Sequence, residues 1–290
     1  MMLSGGGPVG IIAGGQDLPF EIIDALQGAG RDYFLFGLVG EADKRIEGHP
    51  HIWLKWGEIG LLFNTLEQKG IEELLCIGSV KARPDFRSIR LDFGAIKALP
   101  DILKIMAGGG DESLLNGVAN FFEKRGLRLV SVPDIAPSLV VGAALSVGDK
   151  LAATNEADIR LAAKMAAVIG AMDVGQGVVV ANGRVLAMEG PEGTDQMLER
   201  VERIRLERRS RWDFGKAGLL LKRARPGQDL RFDMPTIGPR TVEFVQKAGL
   251  AGIVCAQGEV LCACRDQTIH LAKEAGLFLQ ARYLSDVTSD

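Results

Sequence analysis

Residues 8–26 read PVGIIAGGQDLPFEIIDAL, and this stretch decides the fold. Pro8 to Ala13 is a short apolar run, Gly14-Gly15-Gln16-Asp17 is a turn, and Leu18 to Leu26 carries helical spacing through Phe20, Ile23 and Leu26. The order is strand, glycine turn, helix. Asp17 is placed to cap the helix, and Pro19 falls in its first turn, where a missing N–H costs nothing. A turn of this kind is expected to aim backbone N–H groups at an anion, usually a phosphate. Its spacing is not the dinucleotide fingerprint, which needs three glycines at set offsets and an acid about 20 residues on.

Outward from that unit the alternation repeats. Tyr33 to Val39 and Ile52 to Trp56 have strand character, Glu58 to Lys69 is helical, and Ile71 to Val80 ends in a buried strand containing Cys76. Strands separated by helices form a parallel sheet. Ligands of open parallel sheets collect at the carboxyl ends of the strands, which puts Gly14, Gly15, Gly78, Ser79 and Lys81 on one rim, a candidate nucleotide shelf. Gly108-Gly109-Gly110-Asp111-Glu112 opens a helix through Lys124, with Asp111 as cap or ligand, and Leu127 to Val132 is the last strand of this half. The two prolines of Val132-Pro133-Asp134-Ile135-Ala136-Pro137 read as a linker. The expected domains are therefore residues 1–131 and 139–290, joined by 132–138.

The second half opens with a helix from Glu156 to Ile169. The run Gly177 to Ala181, Asn182-Gly183 and Val185 to Met188 form a hairpin, since Asn-Gly suits the positive φ of a type I′ turn. Glu189-Gly190-Pro191-Glu192-Gly193-Thr194-Asp195 follows, three acids and a hydroxyl among the residues that lead into an arginine-rich helix. A helix from Thr241 to Ala248, strands near Ile253 to Cys255 and Val260 to Cys264, a helix with His270, and a strand at Leu277 to Ala281 complete the chain.

Between these lies KRARPGQDLRFDMPTIGPRT, residues 222–241. From Gln228 to Met234 polar and apolar residues alternate, so a strand here sets Asp229, Arg231 and Asp233 on one face and Leu230, Phe232 and Met234 on the other. Two carboxylates on one face suit a shared cation. The alternative is an arginine bridging two acids.

Composition narrows the classes. A chain of 290 residues, 47% of them hydrophobic, supports two packed cores. The formal charge of −3 gives no broad basic field, so nucleic acid is not an expected partner. Cys76, Cys255, Cys262 and Cys264 sit in apolar runs and not in a spaced framework, as expected for reduced thiols of a cytoplasmic protein. Cys262 and Cys264 share a strand face in this reading, with no second pair at zinc spacing. No apolar run approaches the length of a spanning helix, and no leader pattern opens the chain.

Taken in order, the Gly14-Gly15 turn, the Asp111 turn, Asp173-Val174-Gly175-Gln176, Glu192-Gly193-Thr194-Asp195, Lys222 with Pro226-x-Gln228-Asp229-x-Arg231-x-Asp233-x-Pro235-x-Ile237-Gly238, and Thr241-Val242 resemble the LpxI type of UDP-2,3-diacylglucosamine diphosphatase. The resemblance covers nearly the whole chain, and its last motif is the most specific. Arg225 and Glu112 depart from the family's usual lysine and aspartate, and both keep charge. The resemblance implies an α/β protein of two domains, an N-terminal Rossmann-like parallel sheet and a C-terminal α/β domain, with the substrate cleft between them. It also implies a magnesium-dependent hydrolase of lipid A synthesis that gives UMP and 2,3-diacylglucosamine 1-phosphate (lipid X). That enzyme is cytoplasmic, with a peripheral contact at the inner membrane and a homodimer left open.

Together with the residue reading, this makes Asp229, Asp233 and Lys222 the expected catalytic groups. Gly14, Gly15, Ser79, Lys81, Asp111, Gln176, Thr194 and Asp195 are expected to hold substrate, and Asp229 and Glu192 to hold Mg2+. The competing classes are a nicotinamide or flavin oxidoreductase, which predicts tight cofactor binding, and a non-catalytic lipid-binding protein, which predicts no release of UMP.

Overall fold

The structure, a computed structural model, describes residues 7–80, 90–107, 111–207 and 215–284, and only the backbone of 105–107 and 111–115. The chain divides into two compact units, Met1–Pro137 with Asp229–Asp233, and Ser138–Gln228 with Met234–Asp290. Five residues of the 222–241 stretch thus group with the first unit.

In the first unit, β1 (Val9–Ala13), α1 (Leu18–Gly28), β2 (Tyr33–Leu38), β3 (His51–Leu54), α2 (Ile59–Gln68), β4 (Glu73–Ile77), α3 (Phe93–Ala107), α4 (Asp111–Glu123) and β5 (Arg128–Leu129) follow the expected alternation. The strand order is β3-β2-β1-β4-β5, and every pair is parallel. β1 is central, with Val9, Ile11 and Ala13 fully buried. The chain runs outward from β1 through β2 to β3 and returns on the other side with β4, so the topological switch lies between β1 and β4. At the far end of the strands, the buried Glu73 carboxylate accepts from Arg31 and Arg128.

Two local expectations change. Asp17 precedes α1, but its side chain caps nothing; its Oδ1 accepts from Arg45 Nη2 at 2.8 Å. The Leu127 to Val132 strand is confined to Arg128–Leu129. The stretch expected as linker, in which the boundary between the units falls, carries a helical turn, α5 (Val132–Ile135), with Val132 and Ile135 buried. Pro133 sits in that turn's opening positions, where proline is favoured. Ser131 donates its N–H and hydroxyl to the Asp134 carboxylate at 2.9 and 2.6 Å, and the hydroxyl contact holds that carboxyl below its ordinary range.

The second unit contains β6 (Ser146–Val147), α6 (Asp149–Thr154), α7 (Glu156–Ala171), β7 (Gly177–Ala181), β8 (Arg184–Met188), α8 (Gly193–Leu206), β9 (Leu219–Lys222), β10 (Thr236–Ile237), α9 (Pro239–Lys247), β11 (Gly252–Ala256), β12 (Leu261–Cys262), α10 (Arg265–Glu274) and β13 (Phe278–Arg282). Six strands form a mixed sheet in the order β6-β13-β11-β9-β7-β8, in which β13, β11 and β9 are parallel and the others antiparallel. β10 and β12 pair separately. None of the four cysteines is in a disulfide; the strand holding Cys262 ends there, and Cys264 takes positive φ (45°) ahead of α10, so the two share no strand face.

The β7–β8 hairpin turns through Asn182 and Gly183, both at positive φ (50° and 74°), as the Asn-Gly pair requires. Its two N–H groups donate to the buried Asp158 carboxylate at 2.8 and 2.7 Å, tying the turn to α7. Hydrogen bonds to a charged group contribute about 1.5–3 kcal/mol. Asp158→Ala should accordingly lower the unfolding free energy by about that much, measured by denaturant titration; an unchanged midpoint would rule out the tie.

Candidate active site

Lys222 ends β9 in the middle of the second sheet, with Cys255 of β11 on one side and Gly177 of β7 on the other. It is 5% exposed. Its ammonium donates to Thr194 Oγ1 at 2.8 Å and to the Thr236 carbonyl at 3.2 Å. Both acceptors are neutral. Among the described residues, no carboxylate comes within ion-pair distance of this ammonium. A buried cation without a paired anion is expensive in an isolated fold, so the arrangement suits an anionic ligand.

Thr194 stands at the start of α8 and donates its hydroxyl to Glu189 Oε1 at 2.8 Å. Glu189 directly follows β8, and its N–H donates to the Gly177 carbonyl at 2.8 Å. Gln176 precedes Gly177, and its carbonyl accepts the Arg223 N–H at 3.0 Å. The acids flanking Thr194 hold arginines: Asp195 accepts from Arg240 Nε at 2.8 Å, and Glu192 pairs with Arg200 at 3.2 Å.

The 228–234 segment is not a strand. Arg225–Gln228 is a turn with Pro226 and Gly227 (φ 80°) at its centre, closed by Gln228 N–H to the Arg225 carbonyl at 3.1 Å. A second turn follows. Asp229 accepts the Arg231 backbone N–H on Oδ1 at 3.0 Å, and the Asp229 carbonyl accepts the Phe232 N–H at 3.2 Å. An aspartate that hydrogen-bonds two residues ahead offers the backbone an alternative to a sheet ladder, and here the alternation served that turn.

The Arg231 guanidinium grips Asp229 through Nε to Oδ1 (2.9 Å) and Nη2 to Oδ2 (2.7 Å), and reaches Glu123 with Nη1 at 2.6 Å. The arginine bridges Asp229 and Glu123, an acid from outside the 228–234 segment and not one of a strand face. It holds the Asp229 carboxyl below the ordinary range, and its own pKa is raised in return. Phe232 packs on the core formed by Phe121, Phe122 and their neighbours. The Asp233 N–H reaches the Asp229 carbonyl at 3.4 Å.

At the switch between β1 and β4, the glycines serve close approach. Gly14 N–H donates to the Ile77 carbonyl at 2.8 Å, and Gly15 and Ser79 exchange backbone hydrogen bonds at 2.8 and 3.1 Å. A Cβ on Gly14 would lie 2.6 Å from the Ser79 carbonyl oxygen. The Gly14 and Gly15 N–H groups are therefore spent on the crossing of the two strand ends, and an anion at this turn would have to be met by the N–H groups that follow them. Ser79 Oγ is buried there without a partner among the described residues. Lys81 lies outside the described residues, and Asp111 opens α4.

Each residue expected to hold magnesium has an arginine partner within its own unit. Asp229 has both oxygens on Arg231, Glu192 is paired with Arg200, and among the described residues no three His, Cys, Asp or Glu side chains converge on a metal position.

Models of two domain families match the chain in order, the LpxI N-terminal domain over residues 8–139 and the LpxI C-terminal domain over residues 143–280. The chain belongs to the LpxI family. It is 36% identical over 271 residues to UDP-2,3-diacylglucosamine pyrophosphatase LpxI of Caulobacter vibrioides, a match spanning 93% of this chain and 96% of that protein.

Of the residues expected to carry an LpxI site, the fold joins Lys222 to Thr194, gathers Gly14, Gly15 and Ser79, and sets Asp229 and Asp233 in one turn. Lys222 belongs to the second unit and Asp229 to the first. Glu189 and Arg231 were absent from the expected set. Glu189 had a signal in Gly175 and Gly177, two glycines that leave room for a neighbour: a Cβ on Gly177 would lie 2.4 Å from Glu189 Oε2. Arg231 had one in its spacing from Asp229, obscured by the strand reading.

Proposed function

We propose that this chain hydrolyses the diphosphate of UDP-2,3-diacylglucosamine, releasing UMP and 2,3-diacylglucosamine 1-phosphate. The observation that carries the reading is the 36% identity to a curated pyrophosphatase over almost the full length of both chains. The chemistry of Lys222 supports it. Cleaving a phosphoric anhydride develops charge on phosphate oxygens, and a buried, pre-placed cation stabilises that charge without reorganising. Neutral acceptors hold the ammonium in place without neutralising it, and a lysine has three donors, so one N–H remains beyond Thr194 and Thr236.

In this reading the enzyme works on the cytoplasmic side of the inner membrane and meets its diacylated substrate at the membrane surface. Among the described residues no helix is long and apolar enough to cross a membrane. The oxidoreductase reading is not favoured, because the relative that matches over almost the full length is a pyrophosphatase.

Purified protein given UDP-2,3-diacylglucosamine and magnesium should release UMP; no UMP from folded protein would refute the assignment. Magnesium remains part of the proposal, although no protein ligand is assigned to it. Magnesium commonly binds through substrate phosphates with few protein carboxylates. Turnover is expected to stop in excess EDTA and to return with added magnesium, and full turnover in EDTA would remove the metal from the scheme.

A further inference from the structure

We propose that Glu189 is a positioning residue for the reaction, acting on Lys222 through the Thr194 hydroxyl. The inference rests on the reading of Lys222 as the cation that meets the substrate's phosphates. A threonine hydroxyl has one proton. Because Thr194 gives it to Glu189 Oε1 at 2.8 Å, only lone pairs face Lys222, whose ammonium donates into them at 2.8 Å. The direction of every bond in the chain Lys222 to Thr194 to Glu189 is fixed by the carboxylate, which can only accept. With one ammonium N–H committed to Thr194 and a second to the Thr236 carbonyl at 3.2 Å, the third is left with a defined direction. Without the carboxylate, the hydroxyl is free to rotate its proton toward the ammonium and to lose that contact.

The surroundings show that the carboxylate is deliberately accommodated. Three neighbouring strands set Lys222, Gly177 and Glu189 side by side, through the Lys222–Gly177 register and the Glu189 N–H to Gly177 carbonyl bond. Glycine in the middle leaves the carboxylate its place, since a Cβ there would lie 2.4 Å from Glu189 Oε2 and push it aside. That second oxygen is buried and has no hydrogen-bond partner among the described residues. A carboxylate kept for folding alone would be expected to satisfy both oxygens, because an unmet buried acceptor costs about 1–3 kcal/mol. Glu189 instead gives one oxygen to the relay and tolerates the other unmet.

The experiment is a mutant cycle on the full-length protein, with UMP release as readout. Glu189→Gln keeps the shape and removes the charge, and Thr194→Val keeps the shape and removes the hydroxyl. Each should lower kcat by about 10- to 100-fold and leave KM within about threefold, because the contact matters where charge develops. Thr194→Ser should recover most of what Thr194→Val loses. In a Lys222→Met background Glu189→Gln should have no further effect, as groups acting through one another are not additive. Equal losses of kcat from Glu189→Gln with and without Lys222, or a loss that follows melting temperature alone, would overturn the proposal, as would wild-type kcat in Glu189→Gln. If Lys222→Met itself turns over normally, the underlying assignment of Lys222 fails, and that outcome is distinct from the others.

Discussion

Lys222→Met should lower the turnover of UDP-2,3-diacylglucosamine by about 10²–10³, the scale on which a single pre-placed donor to a developing oxyanion contributes. Methionine is the informative replacement. It keeps an unbranched chain of similar length in a position 5% exposed, and exchanging a buried cation for an apolar group is commonly neutral or stabilising for the fold. The ammonium has only neutral acceptors, Thr194 Oγ1 and the Thr236 carbonyl, so its removal breaks no direct ion pair. The expected result is a folded protein with melting temperature near that of the parent and kcat reduced far more than substrate affinity. A variant with normal kcat would show that the buried cation is structural. A variant that fails to fold would show that the two hydrogen bonds matter more to the sheet than its hydrophobic neighbours do.

How much of this was legible depends on where side-chain periodicity governs. The strand, glycine turn and helix of residues 8–26 are readable because β1 is buried on both faces and α1 on one, and those patterns are local. The hairpin was readable because Asn182-Gly183 must adopt positive φ, a property of two residues. The 228–234 segment misled for the converse reason. Its alternation matches a strand, but Asp229 closes a turn on its own backbone, and the choice was settled by one side-chain hydrogen bond that periodicity does not register. At the Gly14-Gly15 pair the structure shows close backbone approach, a reason for glycine that the turn pattern does not state. A glycine that allows a backbone to approach and a glycine that frees an N–H look the same in a sequence. What separates them is the partner strand, Gly78-Ser79, more than sixty residues away. The contact of Lys222 with Thr194 is not deducible from sequence, since they lie 28 positions apart on different elements.

Asp229 carries the remaining prediction, altered by what holds it. Both of its oxygens lie on Arg231, and that contact keeps the carboxyl ionised below its ordinary range. A depressed pKa makes a weak base at neutral pH and a firm anchor for a cation. The expected role is therefore to fix Arg231, and through it the turn 229–232, in the geometry the reaction needs. Asp229→Ala should lower kcat by about 10² or more, the loss usual for a positioned polar group at a reacting centre. It should also cost about 1–3 kcal/mol in stability, because a charge-assisted pair is broken while Arg231 keeps its contact with Glu123. The sign of the pH dependence follows from the direction of the shift. A carboxyl whose folded pKa is lowered adds stability that is fully present above the unfolded value, about pH 4, and is lost as pH falls through the folded value. Denaturant midpoints of the parent and of Asp229→Asn should therefore differ at pH 7 and converge as pH falls through the folded value. The acid side of the kcat profile should show no inflection from this carboxyl near neutrality. A kcat limb that moves in Asp229→Asn would mean that the group takes a proton itself. Wild-type kcat in both variants would remove the turn from the reaction altogether.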